Sequence, residues 1–127
     1  MGLPKLNRLK SPREFQAVYQ RGQRYQSDRL VLRVLWITDK TSNPAPTQFG
    51  IAISQKVSKK AVVRNRLKRQ IKGAIRVLLP FIAPGAKIVI SVRGNVSECQ
   101  YEHFLRELKK LLIKAKIIYG HTREYFL

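Results

Sequence analysis

The sequence predicts an α+β fold in which three helices pack on a sheet, in the order α-β-β-α-β-α. Two observations predict it: three segments show helical periodicity, and three short runs of branched apolar residues alternate with them. The chain has 127 residues, of which 44% are hydrophobic, and this suits one domain with one core. We expect a single domain over 1–127, with a basic arm at 1–10, a globular core at 11–116 and a tail at 117–127.

The segment "SPREFQAVYQRG" carries a complete set of short-helix signals. Ser11 is a preferred N-cap, Pro12 suits the first helical position, and Gly22 follows the expected end. The apolar face of this helix consists of Phe15, Val18 and Tyr19. Spacing alone therefore assigns the two aromatic residues to the core.

Three strands are predicted, at 30–37, 48–54 and 86–93. We expect the first two to pair as an antiparallel hairpin across the polar connection at 39–47. Side-chain alternation places Trp36 and Arg33 on opposite faces of the first strand, so Trp36 is expected on the hydrophobic side.

The two remaining helices differ in composition. The middle helix is expected to be capped by Ser58, to run to about Leu79 and to end at "PFIAPG". Ser97 and Gln100 form a capping-box pattern before the last helix. The apolar stripe of the last helix is typical of a core-facing helix.

The charge of the chain points to a polyanionic partner. Lys and Arg number 26 against 7 Asp and Glu, which gives a net charge of +19. No acid lies between Asp39 and Glu98. Charge of this sign and density in one domain is typical of nucleic-acid binding. The single cysteine, Cys99, excludes an internal disulfide and favours a cytoplasmic location.

The middle helix concentrates this charge on one face. At about 100° per residue, its apolar residues fall on one arc. The opposite arc holds Asn65, Arg66, Lys68, Arg69, Lys72 and Arg76, with Arg64 at the border. An ordinary solvated face would interleave Glu at i±4, and a membrane-surface helix would carry Trp or Phe anchors; this helix has neither. The remaining interpretation is phosphate binding, and the absence of helix-turn-helix spacing favours RNA over DNA.

The segment "A-x-x-R-N-R-L-K-R-x-I-K" from Ala61 to Lys72 resembles the signature of the bacterial ribonuclease P protein subunit. The resemblance extends from about residue 6 to 116 and includes "REFQAVYQRG", "FGIAIS" and "KIVISVRG". It implies an α-β sandwich with a left-handed β-α-β crossover, which is contrary to the usual handedness.

The resemblance also implies a function. The chain would be the protein subunit of a ribonucleoprotein endonuclease that removes the 5′ leader from precursor tRNA. The catalytic RNA subunit would hold the Mg²⁺ ions and carry out the hydrolysis. The expected partners are that RNA and precursor tRNA, with no membrane and no required protein partner.

The resemblance also implies site residues, which are carried over by their positions in the matching segments. The signature residues expected to contact the RNA subunit are Arg64, Asn65, Arg66, Lys68, Arg69 and Lys72, and Arg76 continues their face. Residues expected at the leader are Phe15, Tyr19, Arg33, Lys56, Lys59 and Lys60. Arg33 stands where relatives often have an aromatic residue, so a charge or a cation–π contact is expected there. Gln55 replaces a common basic residue, which removes one phosphate contact.

No residue of the chain is expected to be catalytic or to ligate a metal. His103 and His121 are isolated, and the seven acids form no close cluster. These features weigh against a self-sufficient nuclease. A structural RNA-binding protein of ribosomal type, without a processing role, remains the alternative.

Overall fold

A four-stranded mixed sheet separates two layers of helix in the computed structural model, which describes residues 3–37, 45–94, 96 and 100–118. The helices are α1 (Pro12–Arg21), α2 (Ala61–Leu78) and α3 (Tyr101–Lys114), and the strands are β1 (Gln23–Gln26), β2 (Leu30–Trp36), β3 (Gln48–Ala52) and β4 (Ala86–Val92). Short 3-10 turns lie at Lys5–Asn7 and Leu79–Phe81. The α+β class is confirmed. None of the helices in these ranges has the length and apolar composition to cross a bilayer.

The strand order is β1-β2-β4-β3, so the predicted hairpin between 30–37 and 48–54 is wrong. β4 lies between those two strands, antiparallel to β2 and parallel to β3. The physical reason is the composition of β4, where the consecutive residues Ile88, Val89 and Ile90 are all buried. A strand that is apolar on both faces takes a central position. The connection from β3 through α2 to β4 joins parallel neighbours, and its left hand stays a prediction.

β1 was not predicted. Its sequence, "QRYQ", is mostly polar and exposed, and it pairs antiparallel with β2, with Gln23 opposite Val34. Short strands with polar and charged side chains are common at the edges of sheets, where they discourage pairing with another chain.

The two faces of the sheet are covered differently. Leu32, Ile90 and Phe49 belong to the main core, to which α2 and α3 contribute their apolar stripes. On the other face, Val18 of α1 packs with Leu9 and Val89 in a smaller cluster. The functional features described below lie at the border between these two layers.

The caps of α1 agree with prediction. The Ser11 hydroxyl accepts a hydrogen bond from the Glu14 backbone N–H at 3.2 Å, and Pro12 is the first helical residue. The Gly22 N–H donates to the Val18 carbonyl at 2.8 Å. A Cβ on Gly22 would lie 2.4 Å from that carbonyl oxygen, so the close approach requires glycine.

The two ends of the described chain pack more closely than the predicted boundaries imply. Leu3 and Leu9, within the predicted arm, are buried, and the Leu9 N–H donates to the Phe49 carbonyl at 2.9 Å along β3. Ile117 and Ile118, within the predicted tail, are also buried. Residues 119–127 lie outside the described ranges, as do 38–44 of the predicted connection.

Three further expectations need correction or qualification. Trp36 is 43% exposed instead of packed on the hydrophobic side, because parity sets its face but not whether a helix covers the end of the strand. α2 has Lys60 as its N-cap, and the Ser58 hydroxyl only accepts from the Lys60 N–H at 3.2 Å. α3 is capped by Gln100, whose backbone N–H donates to Nδ1 of His103 at 2.9 Å. Ser97 and Cys99 lie outside the described residues.

Candidate RNA interface

The solvent side of α2 carries a continuous cationic stripe. Its members, which we call the α2 face, are Asn65, Lys68, Arg69, Lys72 and Arg76. Asn65, Arg69 and Arg76 are exposed, whereas Lys68 and Lys72 are half-buried. The apolar residues of the helix pack into the core behind them. No acid occurs in the helix to offset the repulsion between these side chains.

Arg64 and Arg66 lie at opposite borders of this face. One Arg64 guanidinium nitrogen donates to the Ser58 carbonyl at 2.8 Å, which ties the start of α2 to the preceding turn. Arg66 is half-buried, and its Nε atom is shielded from solvent. The sequence placed Arg66 on the exposed arc, but the structure places it in a more enclosed position than Asn65 and Arg69.

A cleft of about 400 Å³ opens beside the α2 face. It is lined by Tyr19 of α1, Ile51 and Ala52 of β3, Ile53 and Ser54 after β3, Lys68 of α2, and Ser91 and Val92 of β4. Lys68 therefore belongs both to the cationic helix and to the wall of the cleft. The small residues Ala52 and Ser91 lie opposite each other on β3 and β4.

Tyr19 and Arg33 form a cation–π pair at this cleft. The guanidinium carbon of Arg33 lies 4.9 Å from the centroid of the Tyr19 ring, and the tyrosine is 44% exposed. The cation–π contact observed for Arg33 is thus with a ring of the chain itself, and its expected contact with the leader stays a prediction. The pair holds an aromatic ring with a positive group at the mouth of the cleft.

Phe15 is placed differently from Tyr19. It is half-buried against the smaller core cluster, and its ring covers Gly50 of β3. A Cβ on residue 50 would lie 2.3 Å from Cζ of Phe15. The core assignment made from spacing therefore describes much of this ring, and its contact with the leader stays a prediction.

Three lysines stand at the entrance to α2. Lys56, Lys59 and Lys60 are exposed in the segment that links β3 to the helix. Gln55 lies exposed in the same segment. Together with the hydrogen bond from Arg64 to Ser58, this arrangement places positive charge along the chain that leads from the cleft to the α2 face.

Sequence reasoning missed the floor of the cleft. Ser91 and Val92 come from β4, and Ala52 pairs with Ser91 only because β3 and β4 are parallel neighbours. No local pattern in the sequence signals that pairing. The apolar segment "FGIAIS" predicted a strand but not which strand would lie beside it.

Two of the acids within the described ranges are engaged in ion pairs. Glu14 accepts a salt bridge from Lys87 at 3.3 Å, and Glu107 is held by Arg29 at 2.6 Å. For both carboxyls, burial acts to raise the pKa, but the hydrogen bonds and cation outweigh it, so each pKa lies below its ordinary value. Among the described residues, no group of three or more His, Cys, Asp or Glu is arranged to hold a metal.

The fold and this surface define a basic α+β protein of the nucleic-acid-binding class. The sequence profile of the family described as Ribonuclease P matches residues 3–116. The ribonuclease P protein component of Microcystis aeruginosa is 57% identical over 95% of this chain and 100% of its own length. That of Synechocystis is 50% identical over the full length of both chains.

Solved structures agree with these sequence relationships. The ribonuclease P protein of Thermotoga maritima superposes with a TM-score of 0.72 at 25% identity, covering 84% of this chain and 96% of that one. The Staphylococcus aureus protein gives a TM-score of 0.75 at 24% identity, covering 90% and 99%. The chain belongs to the ribonuclease P protein family and is a protein component of this ribonuclease. The alternative of a ribosomal-type protein is not favoured.

Proposed function

We propose that the chain binds the RNA subunit of ribonuclease P through the α2 face and holds the 5′ leader of precursor tRNA in the adjoining cleft. The observation that carries this proposal is the position of Lys68, which belongs to both surfaces. Two RNA segments bound there would meet along one edge of α2. This is the arrangement needed to present a cleavage site to a catalytic RNA.

The α2 face suits a folded RNA backbone. Arg69 and Arg76 are exposed, and an arginine fork matches two phosphate oxygens at once. Asn65 adds a neutral donor and acceptor at the start of the face, within reach of a 2′-hydroxyl or a base edge. Arg64 orders the turn that carries Lys59 and Lys60 through its hydrogen bond to Ser58.

The cleft suits a single strand without a strong sequence preference. Tyr19 offers a half-exposed ring on which an unpaired base can stack, and Arg33 adds a charge at the same place. Phosphates of the strand would meet Lys68 on the wall of the cleft and Lys56, Lys59 and Lys60 in the segment that leads from β3 to α2. A stack combined with phosphate contacts reads the backbone and the presence of a base, not its identity.

We further propose that the protein supplies no catalytic group. The Mg²⁺ ions that hydrolysis requires would be held mainly by the RNA subunit; in support, the described residues contain no group of three or more His, Cys, Asp or Glu arranged to hold a metal. The part played by this chain is to lower the repulsion between two polyanions and to position the leader. We place the chain in the cytoplasm, because its single cysteine fits a reducing compartment.

A reconstitution tests this function. The purified chain is mixed with the RNA subunit, precursor tRNA and Mg²⁺ at near-physiological salt, and 5′ cleavage is followed with and without the chain. We expect a gain in kcat/KM when the chain is present and no cleavage by the chain alone after nucleic acid is stripped from it. No gain, or cleavage by the stripped chain, contradicts the proposal.

A further inference from the structure

A second cationic stripe runs along the solvent side of α3. It consists of Arg106, Lys110 and Lys114, which we call the α3 stripe, and all three residues are exposed. Residues four apart lie above one another on a helix, so the stripe extends over about 12 Å at a rise of about 1.5 Å per residue. Like charges at this spacing destabilise a helix by a few tenths of a kcal/mol per pair. An anionic partner would offset that repulsion.

The nearest acids do not neutralise the stripe. Glu107 points its carboxylate at the β1–β2 turn, where it accepts hydrogen bonds from the Ser27 hydroxyl at 2.5 Å and from the Arg29 backbone N–H at 2.9 Å. Its other oxygen is bound by the Arg29 guanidinium at 2.6 Å. Glu102 lies one turn before Arg106, yet no salt bridge within the described ranges joins the two. The acid that could have balanced the middle of the stripe is committed elsewhere.

Arg106 joins the α3 stripe to two recesses. One, of about 280 Å³, lies between α2 and α3 and is lined by Val77, Glu102, Leu105, Arg106 and Lys109. The other, of about 260 Å³, lies beside the β1–β2 turn. Its lining combines cations and acids: Ser27, Asp28, Arg29, His103, Arg106, Glu107 and Lys110. The stripe is therefore bordered by concave surfaces. One of them includes Val77, which follows Arg76 of the α2 face in the sequence.

The chemistry of this surface selects the kind of anion. Within the described residues, none of the exposed large hydrophobic side chains belongs to α3. Tyr101 lies against Gly73, where a Cβ would be 3.3 Å from its ring, and Phe104 is fully buried. The stripe offers no aromatic ring as a platform for unpaired bases. Val77 is the one exposed large hydrophobic side chain that the described residues place at its border, so there is no extended apolar patch for a protein partner. Cations alone suit the phosphodiester backbone of a paired RNA segment.

We propose that the α3 stripe is a second RNA-binding surface, which contacts the backbone of a double-stranded segment of the RNA subunit apart from the segment held by the α2 face. The inference rests on the proposed function, because it presupposes that the chain binds this RNA. His103 also lines a recess beside the stripe, and because its Nδ1 accepts the Gln100 N–H, Nε2 is the ring nitrogen left to donate.

The test removes the three charges without disturbing the helix. Arg106→Gln, Lys110→Gln and Lys114→Gln are combined, since glutamine is a good helix former and the residues are exposed. The matched control removes three exposed charges from the α1 side of the molecule by Arg13→Gln, Arg21→Gln and Arg24→Gln. Affinity for the RNA subunit is measured against salt for both variants and the wild-type chain, and circular dichroism verifies the fold.

We expect the α3 variant to lower the slope of log affinity against log salt by about 2, since each phosphate contact contributes about 0.7–0.9. The control should leave the slope near that of the wild type. Hydroxyl-radical footprinting should show a paired RNA segment that loses protection in the α3 variant and keeps it in an α2-face variant. Equal slopes for the α3 variant and the control, or an unchanged footprint, overturn the inference. Failure of the wild-type chain to bind the RNA overturns the proposed function instead.

Discussion

The guanidinium carbon of Arg33 lies 4.9 Å from the centroid of the Tyr19 ring, at the mouth of a cleft bounded by α1, β3, β4 and α2. The contact joins a helix on one face of the sheet to a strand within it. The fold positions this pair, and because Tyr19 remains 44% exposed its ring is accessible from solvent. It is the most specific feature of the proposed leader site.

Replacing Tyr19 with alanine should weaken binding of precursor tRNA to the reconstituted enzyme by about 1–3 kcal/mol, the range for loss of one base–aromatic stack. Binding of mature tRNA, which has no leader, should change little. Tyr19→Phe keeps the ring and serves as the control. The affinities for both tRNAs are measured by equilibrium binding. An equal loss of affinity for the two would show that Tyr19 does not contact the leader.

Phe15 should have a structural role that Tyr19 lacks. Phe15→Ala is expected to lower the free energy of unfolding by about 2–4 kcal/mol, because the ring packs on Gly50 and the smaller core cluster. If Phe15 also contacts the leader, the same variant should lower the discrimination between precursor and mature tRNA. Urea denaturation measures the first effect and paired binding assays the second; equal losses for both tRNAs would assign Phe15 to the core alone.

Gly50 should be coupled to Phe15. Gly50→Ala places a Cβ 2.3 Å from the Phe15 ring, so it should destabilise the chain by about 1–3 kcal/mol through overpacking. Combined with Phe15→Ala, the added methyl group meets no ring, and the double variant should be more stable than the sum of the single losses predicts. Additive losses in urea denaturation would show that the close approach is not what excludes a side chain at residue 50.

Combining Arg64→Ala with Arg69→Ala should weaken binding to the RNA subunit. The slope of log affinity against log salt should fall by about 1.5, because two phosphate contacts are lost. The fold should survive because both residues lie outside the buried stripe of α2. Arg13→Ala with Arg24→Ala removes the same charge from another part of the surface and should leave the slope near that of the wild type. Filter binding across a salt series provides the measurement, and matching slopes for the two double variants would count against the α2 face.

The carboxyl of Glu107 should make the free energy of unfolding depend on pH. Its folded pKa lies below the ordinary value of 4.5, so its interactions with Ser27 and Arg29 stabilise the fold fully above that value. The stabilisation is lost as the pH falls through 4.5 toward the folded pKa, where the carboxyl becomes protonated. Glu107→Gln should therefore be less stable than the wild type at pH 7, and the difference should shrink as the pH falls toward 3. A difference that stays constant over this range in denaturant titrations would contradict the assignment.

Local signals predicted much of this fold. Ser11, Pro12 and Gly22 set the bounds of α1 because capping is decided by neighbouring residues. The charged face of α2 followed from helical periodicity alone. The pairing of β4 between β2 and β3 did not, since it depends on contacts between residues distant in sequence. β1 escaped prediction because an edge strand can be polar throughout.

The candidate site divides in the same way. The phosphate-binding role of the cationic residues of α2 was predicted from the absence of acids in the helix, and the family resemblance supplied Phe15, Tyr19 and the three lysines. The floor of the cleft was beyond reach because it combines Ala52 and Ser91 from strands that only the tertiary fold brings together. The ion pair of Glu107 with Arg29 was equally hidden, since Lys110, three residues further along α3, is the partner that helical spacing favours.

The ratio of the affinities for precursor and mature tRNA, measured for the RNA subunit with and without this chain at one salt concentration, tests the account most directly. The account predicts that the chain increases this ratio, because the cleft beside Lys68 gains contacts only when a leader is present. A ratio that is the same with and without the chain would contradict it.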